Sequence, residues 1–153
     1  MQSDSIIGTR VDAIDYSSAG LQIVDWVRSG KSQYVCVANV HMVMEAYDHP
    51  DFQVIVNSAG LVTPDGMPLV WLMRLRGRVQ QERVYGPTLM LKLLETADRE
   101  GVPVGFYGGK PDALESLVKV VHGRYPNLKM VFTFSPPFHE LSSEEDANIV
   151  ERI

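Results

Sequence analysis

Three polar residues of this sequence stand where short apolar runs end, and their types fit proton transfer and anion binding. Asp65 interrupts "LVTPDGMPLVW" (61–71), and a positioned carboxylate can remove a proton from a reacting hydroxyl. Asn39 follows the run "YVCVA", where its amide can orient a hydroxyl group. Arg83 lies in "ERVYGPT", just before a predicted helix, and its guanidinium fork matches phosphate oxygens.

Each of these residues also has a purely structural interpretation. Asp65 fits the cap of the helix that follows it, with Pro-Asp-Gly as ordinary turn chemistry. Asn39 fits the cap of "HMVMEAY", and His41 fits a packed or cap-proximal position. The neighbouring arginines suit the negative end of a helix dipole and are typical of solvated side chains. They are Arg74, Arg76 and Arg78.

A glycine pair offers a second possible anion site. "FYGGKPDAL" reads as a strand, a Gly108-Gly109 turn and a helix, a geometry that can cradle a phosphate. It lacks the third glycine and the acidic partner of the dinucleotide-binding fingerprint, which argues against a dinucleotide oxidoreductase. Gly66, next to Asp65, would let a backbone or ligand approach closely.

Several motifs are absent. The sequence has no HxxxH or CxxC metal spacing, no GxSxG elbow, and no Asp-x-Asp pair. We therefore expect chemistry without a metal or cofactor. The net charge of −5 argues against a general nucleic-acid-binding protein. Cys36 is the single cysteine and sits in an apolar run, so it is interpreted as a small buried side chain.

The elements that must position these residues alternate between short β-rich runs and longer helical ones. Predicted strands are "TRVDAI", "YVCVANV", "LVT", "VPVGFYGG" and "LKMVFTF", with helical patterns between them. This alternation predicts an α/β fold, with a mostly parallel, Rossmann-like sheet and helices on both faces. Ligands of such sheets bind at the carboxyl ends of the strands, where Asn39 and Asp65 are predicted.

The chain length of 153 residues fits one compact domain spanning residues 1–153. Ile149 and Ile153 fall on one face of the last predicted helix, and the sequence stops there. We therefore expect the domain to lack its C-terminal part, beginning with a following strand. An exposed sheet edge left behind would favour association with a second copy.

The ordered combination of motifs resembles the WecG/TagA/CpsF glycosyltransferases (glycosyltransferase family 26), from about Val35 to the end of the chain. The shared features are an Asn after a strand, Asp-Gly after the next strand, Glu-Arg-Val-x-Gly, a Gly-Gly turn and then Tyr-Pro. In this sequence they are Asn39, Asp65-Gly66, Glu82 to Gly86, Gly108-Gly109 and Tyr125-Pro126.

The resemblance implies a bacterial enzyme that moves a sugar, such as N-acetylmannosamine, from a UDP-sugar to a polyprenyl-diphosphate-linked sugar, with inversion. Such enzymes serve teichoic acid, capsule or exopolysaccharide synthesis at the inner face of the plasma membrane. Asp65 would be the catalytic base, and Asn39 and Arg83 would be pocket residues. The other predicted substrate-binding positions are Gly66, Gly86, Thr88, Gly108 and Gly109. The alternative is a Rossmann-like nucleotide-binding or interaction module that has lost catalysis.

Overall fold

The computed structural model describes residues 2–152; Met1 and Ile153, and with Ile153 its predicted place on a helix face, lie outside the described residues. Strands and helices alternate along the chain, which confirms the predicted α/β class. The elements are β1 Ser3–Ile6, β2 Thr9–Asp12, α1 Tyr16–Arg28, β3 Val35–Ala38, α2 Val40–Asp48, α3 Pro50–Ser58, β4 Leu61–Pro64, α4 Met67–Leu75, α5 Gly86–Glu100, β5 Val104–Tyr107, α6 Pro111–Arg124, β6 Met130–Phe134 and α7 Ser143–Arg152.

The described chain divides into two compact units, the first ending at Lys92 and the second beginning at Leu93. The first contains the antiparallel pair β1–β2 and the parallel pair β3–β4, and the second contains the parallel pair β5–β6. Whether the chain folds as one domain stays a prediction.

The N-terminal hairpin was not predicted, because its turn lacks the usual residues. Ile7 and Gly8 both have positive φ, 50° and 82°, which suits a tight hairpin turn but is unusual for a β-branched residue. Two side chains of α3 hold this turn. Gln53 Nε2 donates to the Ile7 carbonyl (3.2 Å), and Asn57 Nδ2 donates to the Gly8 carbonyl (2.9 Å). The turn is therefore stabilised by tertiary contacts that a local pattern does not contain.

The parallel pair β3–β4 forms the centre of the first unit. Its register places Val35 opposite Leu61 and Ala38 opposite Pro64, so both strands end at the same edge. The surrounding core is apolar and tightly buried. Its buried members are Ile6, Val11, Ala38, Val43, Val56, Ala59, Val62, Leu69 and Met73, and Cys36 packs against them. Cys36 was predicted to be buried; it packs against this core but is only partly buried.

Strand β2 joins β4 through a side chain. Asp12 is 2% exposed, and its Oδ2 accepts a hydrogen bond from the Val62 N–H at 2.8 Å. Its Oδ1 lies 3.3 Å from Arg10 Nε. Buried carboxylates need such partners, because burying an unpaired charge is costly. Asp12 thus anchors the strand that leads to Asp65.

Arg74 and Arg76 are exposed at the end of α4, as the solvated interpretation requires, and Arg78 is half-buried; all three also have specific partners. Arg74 Nε donates to the Gln81 carbonyl at 2.8 Å, and Arg76 Nη1 donates to the Ser5 carbonyl at 2.5 Å. Arg78 Nε lies 3.4 Å from Asp4 Oδ2. These cations hold the hairpin and the loop after α4, because tertiary folding brings carbonyl and carboxylate oxygens to them.

The second unit is a β-α-β segment followed by a helix. Helix α6 begins at Pro111, and proline suits the first turn of a helix because its fixed φ is helical and its missing N–H is not needed there. Helix α7 begins with a capping box. The Ser142 N–H donates to Glu145 Oε2 (2.9 Å), and the Glu145 N–H donates to Ser142 Oγ (3.2 Å). Within the described range 2–152, no helix is long and apolar enough to cross a membrane.

Candidate functional site

The carboxyl ends of β3 and β4 bring Asn39 and Asp65 to one edge of the sheet. The Asp65 N–H donates to the Ala38 carbonyl at 2.8 Å. The segments that follow β3 and β4 therefore leave the sheet side by side. A cavity of about 550 Å³ opens at this edge. It is lined by Asn39, Val40, His41, Asp65, Gly66, Met67, Arg83 and Tyr85. Asn39, Asp65, Gly66 and Arg83, four of the residues predicted from the sequence, therefore share one cavity.

Asp65 forms an ion pair with Arg83. Its side chain is 14% exposed, and Oδ1 lies 2.8 Å from Arg83 Nη2 and accepts a hydrogen bond from Arg83 Nε at 2.9 Å. Oδ2 lies 3.5 Å from the Gly86 amide nitrogen. Helix α4 has Gly66 at its N-cap and, in the described structure, no side-chain cap. The capping interpretation of Asp65 is therefore wrong, because its carboxylate faces Arg83 and Gly86.

Arg83 lies between a carboxylate and an aromatic ring. Its Cζ atom is 4.4 Å from the centroid of the Tyr85 ring, a distance at which the ring face attracts a cation. Nε also donates to the Asp65 carbonyl. The side chain remains 44% exposed, and Nη1 has no hydrogen-bond partner among residues 2–152. The Arg83 guanidinium is thus held by Asp65 and the Tyr85 ring, and its Nη1 can still donate to a ligand.

Asn39 has the capping role predicted for it, and it also lies where a ligand contact is possible. It is the N-cap of α2, and its Oδ1 accepts from the Met42 N–H at 3.0 Å. It also lines the cavity. The capping bond uses the oxygen, so the amide nitrogen is the atom that remains for a ligand. Capping and ligand binding are therefore compatible.

Three helices begin at this edge. The first residues of α2 and α4, Val40 and Met67, line the cavity, and α5 begins at Gly86, whose amide nitrogen lies near Asp65 Oδ2. Helix N-termini present unpaired N–H groups and the positive end of the helix dipole. Together with Arg83, they make this edge suited to an anionic ligand.

Some cavity residues were not predicted from the sequence. His41 is exposed and lines the cavity, so its interpretation as a packed histidine is wrong and the cap-proximal one holds. Tyr85 and Met67 also line it. Nothing in the local pattern marks these residues, because their relevance depends on the starting points of α2, α4 and α5 meeting at one place.

The remaining predicted positions of the first unit have structural features that bear on their roles. A Cβ atom on Gly86 would lie 3.3 Å from Val37 Cγ1, so glycine permits the close start of α5. Gly66 has φ −100°, and a Cβ there would meet ordinary contacts, the nearest at 3.6 Å. Thr88 is half-buried in the first turn of α5 and is not among the residues that line the cavity.

Gly108 and Gly109 form a turn in the second unit. Their φ angles are 117° and 74°, which favour glycine. The Gly108 N–H donates to the Phe134 carbonyl at 2.9 Å, and Ser135 Oγ donates to the Gly109 carbonyl at 2.6 Å. Helix α6 starts after Lys110, which provides no side-chain cap. Two hydrogen bonds thus hold the backbone of this turn, and substrate binding there stays a prediction.

The described residues contain no group of three or more His, Cys, Asp and Glu side chains that could hold a metal ion. Cys36 lies on β3, where burial raises the pKa of its thiol and the charge of Arg10 opposes that effect. A raised pKa keeps a thiol protonated and weakly nucleophilic at neutral pH. The polar chemistry of this edge is therefore that of Asp65, Arg83, Asn39 and His41.

These features define an α/β protein with an anion-compatible site at the carboxyl ends of two parallel strands. The chain belongs to the glycosyl transferase WecG/TagA/CpsF family, whose sequence profile matches residues 5–153. This confirms the resemblance noted from the sequence motifs.

Two curated relatives are N-acetylglucosaminyldiphosphoundecaprenol N-acetyl-beta-D-mannosaminyltransferases. The one from Bacillus spizizenii is 27% identical over 105 residues, which cover 69% of this chain and 41% of the relative. The one from Bacillus subtilis is 26% identical over 96 residues, covering 63% of this chain and 38% of the relative. The chain thus spans roughly two fifths of the length of the curated relatives it matches.

Proposed function

We propose that this chain carries the donor site and catalytic base of an inverting glycosyltransferase. The enzyme would move a sugar from a UDP-sugar to a polyprenyl-diphosphate-linked sugar. One observation carries the proposal. Asp65 lies beside Arg83 in a cavity of about 550 Å³, where three helices begin. Family membership supports transferase chemistry and does not favour the alternative of an inactive nucleotide-binding module.

Asp65 is proposed as the general base. The acceptor hydroxyl oxygen attacks the anomeric carbon of the donor, and its proton passes to Asp65. The bond from that carbon to the diphosphate oxygen breaks, so that UDP leaves with the electron pair and the configuration inverts. Oδ2 is the oxygen suited to accept the proton, because Oδ1 is held by Arg83 at 2.8 Å. A positioned base typically contributes about 10²–10⁴-fold in rate.

Arg83 and the helix N-termini are proposed to bind the diphosphate. The leaving group develops negative charge, and fixed donors that face this charge lower the barrier. Arg83 Nη1 and the first N–H groups of α2 and α4 are candidates for these donors. The Asn39 amide nitrogen would orient a sugar hydroxyl. This arrangement supplies the required positive charge without a metal ion or other cofactor.

The acceptor is proposed from the printed names of the relatives, which describe transfer to a diphosphoundecaprenol-linked N-acetylglucosamine. A lipid-linked acceptor lies in the membrane, so we propose that the protein works at the inner face of the plasma membrane. We also propose N-acetylmannosamine as the transferred sugar. These proposals concern the whole protein.

The test is Asp65→Asn in that protein, with UDP release from UDP-N-acetylmannosamine measured in the presence of a lipid-linked acceptor. We expect kcat to fall about 10²–10⁴-fold, with the circular dichroism spectrum and melting temperature preserved. The matched control is Asp25→Asn on the exposed face of α1, which should retain activity. Full turnover by folded Asp65→Asn protein would exclude Asp65 as the base.

A further inference from the structure

Arg83 sits on a short segment with extensive anchoring, which we call the Arg83 strap and define as residues 81–85. At its N-terminal end, Gln81 is 7% exposed, and its Nε2 donates to the Ile14 carbonyl at 2.7 Å. In the middle, the Val84 N–H donates to the Pro64 carbonyl at 2.8 Å, and Val84 is fully buried. The strap therefore runs alongside the end of β4, next to Asp65.

The C-terminal end of the strap, Tyr85, is held by a tyrosine of helix α1. The Tyr85 N–H donates to the hydroxyl oxygen of Tyr16 at 2.9 Å, and Tyr16 is the first residue of α1. The Tyr85 carbonyl accepts the first hydrogen bond of α5, from the Leu89 N–H at 2.9 Å. The Tyr85 backbone is thus held from both sides.

This anchoring determines the position of the Arg83 guanidinium. Its Cζ atom lies 4.4 Å from the centroid of the Tyr85 ring, while its Nη2 reaches Asp65 Oδ1 at 2.8 Å. A guanidinium held between a ring and a carboxylate keeps one orientation, provided that the ring stays in place. The ring in turn depends on the Tyr85 backbone, whose N–H is held by Tyr16.

We infer that Tyr16 is a positioning residue for the diphosphate-binding Arg83, acting through Tyr85, and that the start of α1 therefore controls the affinity for the sugar donor. This inference rests on the proposed function, because it assigns Arg83 to the donor diphosphate. Without the Tyr16 hydroxyl, the Tyr85 N–H loses its acceptor and the ring can shift away from the guanidinium. Arg83 then samples more orientations, so ordering it on binding has an entropic cost and the affinity for the diphosphate falls.

The principal test is isothermal titration calorimetry of UDP with the complete protein and its Tyr16→Phe variant. Loss of one hydrogen bond should weaken UDP binding about three- to ten-fold in Kd, with unchanged binding stoichiometry. A folding defect would instead lower the stoichiometry. The matched control is Tyr34→Phe, which also removes a hydroxyl hydrogen bond to the backbone, from Tyr34 to the Ile55 carbonyl at 2.6 Å. It should leave the Kd unchanged.

A double-mutant cycle tests whether Tyr16 acts through Arg83. In an Arg83→Lys background, the fork geometry is already lost, so Tyr16→Phe should change the Kd by less than about two-fold, as expected for a coupled pair. A three- to ten-fold effect that persists there would overturn the inference. An unchanged Kd for Tyr16→Phe in the native background would also overturn it.

Ring-retaining and ring-removing substitutions give a second route if Tyr16→Phe folds poorly. Tyr85→Phe keeps the ring over Arg83 and should bind UDP like the native protein. Tyr85→Leu loses the cation–π contact, and we expect its Kd to rise about two- to five-fold, as such contacts are modest at exposed sites. Equal affinities of the two variants would contradict the role assigned to the ring.

Hydrogen exchange separates failure of this inference from failure of the proposed function. In the absence of any ligand, Tyr16→Phe should accelerate amide exchange of Tyr85, while Tyr34→Phe should not. If native protein binds no UDP but this exchange pattern appears, the proposed donor site is wrong, while the anchoring of Tyr85 by Tyr16 is confirmed. If exchange at Tyr85 is unaffected, the positioning role of Tyr16 is wrong whatever the affinity for UDP.

Discussion

The turns after β4 and β5 make an instructive pair. Each leads from a parallel strand into a helix with proline in its first turn and, as far as residues 2–152 show, no side-chain cap. The first turn carries Asp65, paired with Arg83 at 2.8 Å. The second carries Gly108 and Gly109, both at positive φ. The first turn presents a charged side chain, whereas the second presents a glycine backbone at positive φ. The same strand-turn-helix topology therefore presents different chemical groups.

The difference also lies in what approaches each turn. The hydrogen bond from the Val84 N–H to the Pro64 carbonyl holds the Arg83 strap against the first turn. The strap thereby places the Arg83 guanidinium beside Asp65. At the second turn, Ser135 Oγ donates to the Gly109 carbonyl at 2.6 Å. A side chain brought by a later segment therefore matters as much as the turn itself. Four predictions would break or sharpen this comparison.

The largest expected effect concerns the cations of the two turns. Arg83→Ala should lower kcat/KM for sugar transfer by about 10²–10³-fold, the usual loss when a donor to developing negative charge is removed. Lys110→Ala should lower it by less than about five-fold, as an exposed cation contributes little. Steady-state assays of both variants in the complete protein check this. Equal losses would give the second turn the same importance as the first.

The next effect concerns the strand that leads to the first turn. Asp12→Ala should lower the free energy of unfolding by about 1–3 kcal/mol, because the buried Val62 N–H would lose its acceptor. The control is Thr9→Val, since the buried Thr9 hydroxyl has no partner among the described residues. That variant should stay within about 0.5 kcal/mol of the native protein or be more stable. Urea denaturation measures both, and a stable Asp12→Ala protein would contradict the anchoring role.

A third prediction compares the glycines of the two turns. Gly109→Ala should cost about 1–2 kcal/mol, because alanine is strained at φ 74°. Gly66→Ala should cost less than about 0.5 kcal/mol, because φ is −100° and the nearest contact to a new Cβ is 3.6 Å. Thermal denaturation distinguishes the two. UDP affinity measured on Gly109→Ala would, in addition, test the predicted role of this turn in substrate binding.

The smallest effect concerns helix caps and their dependence on pH. The Ser18 N–H donates to Asp15 Oδ1 at 2.7 Å, and this bond holds the Asp15 pKa below its ordinary value of 3.8. The bond therefore stabilises the fold above the unfolded-state pKa, and its contribution is lost as the pH falls through the folded-state pKa. Asp15→Ala should cost about 1 kcal/mol at pH 7.

This difference should shrink as the pH is lowered below about 4, the usual range for a carboxyl group. Asp15→Asn, which keeps a capping oxygen without the titration, serves as the control. In the second unit, hydrogen bonds from the Ser142 backbone and hydroxyl lower the pKa of Glu145, so its contribution has the same sign. Stability curves against pH for the native protein, Asp15→Ala and Asp15→Asn check the Asp15 prediction, and a difference between native and Asp15→Ala that does not change with pH would contradict it.

Much of this architecture could be predicted from local patterns. The break between α2 and α3 before Pro50 and the start of α6 at Pro111 follow from the fixed φ and missing N–H of proline. The placement of Asn39 and Asp65 at strand ends followed from the alternation of strands and helices. The Ile7-Gly8 turn was missed, because side chains of α3, about 46 residues away, hold a conformation that isoleucine seldom adopts.

The sequence by itself determined the α/β alternation, the family and the candidate residues Asp65, Asn39 and Arg83, because strand and helix periodicity and motif order are local properties of a chain. Only the tertiary structure decided that Asp65 pairs with Arg83 rather than capping α4, and that His41 and Tyr85 share their cavity. Those outcomes depend on atoms distant in sequence meeting within hydrogen-bond distance, and they form when strands pair and helices pack.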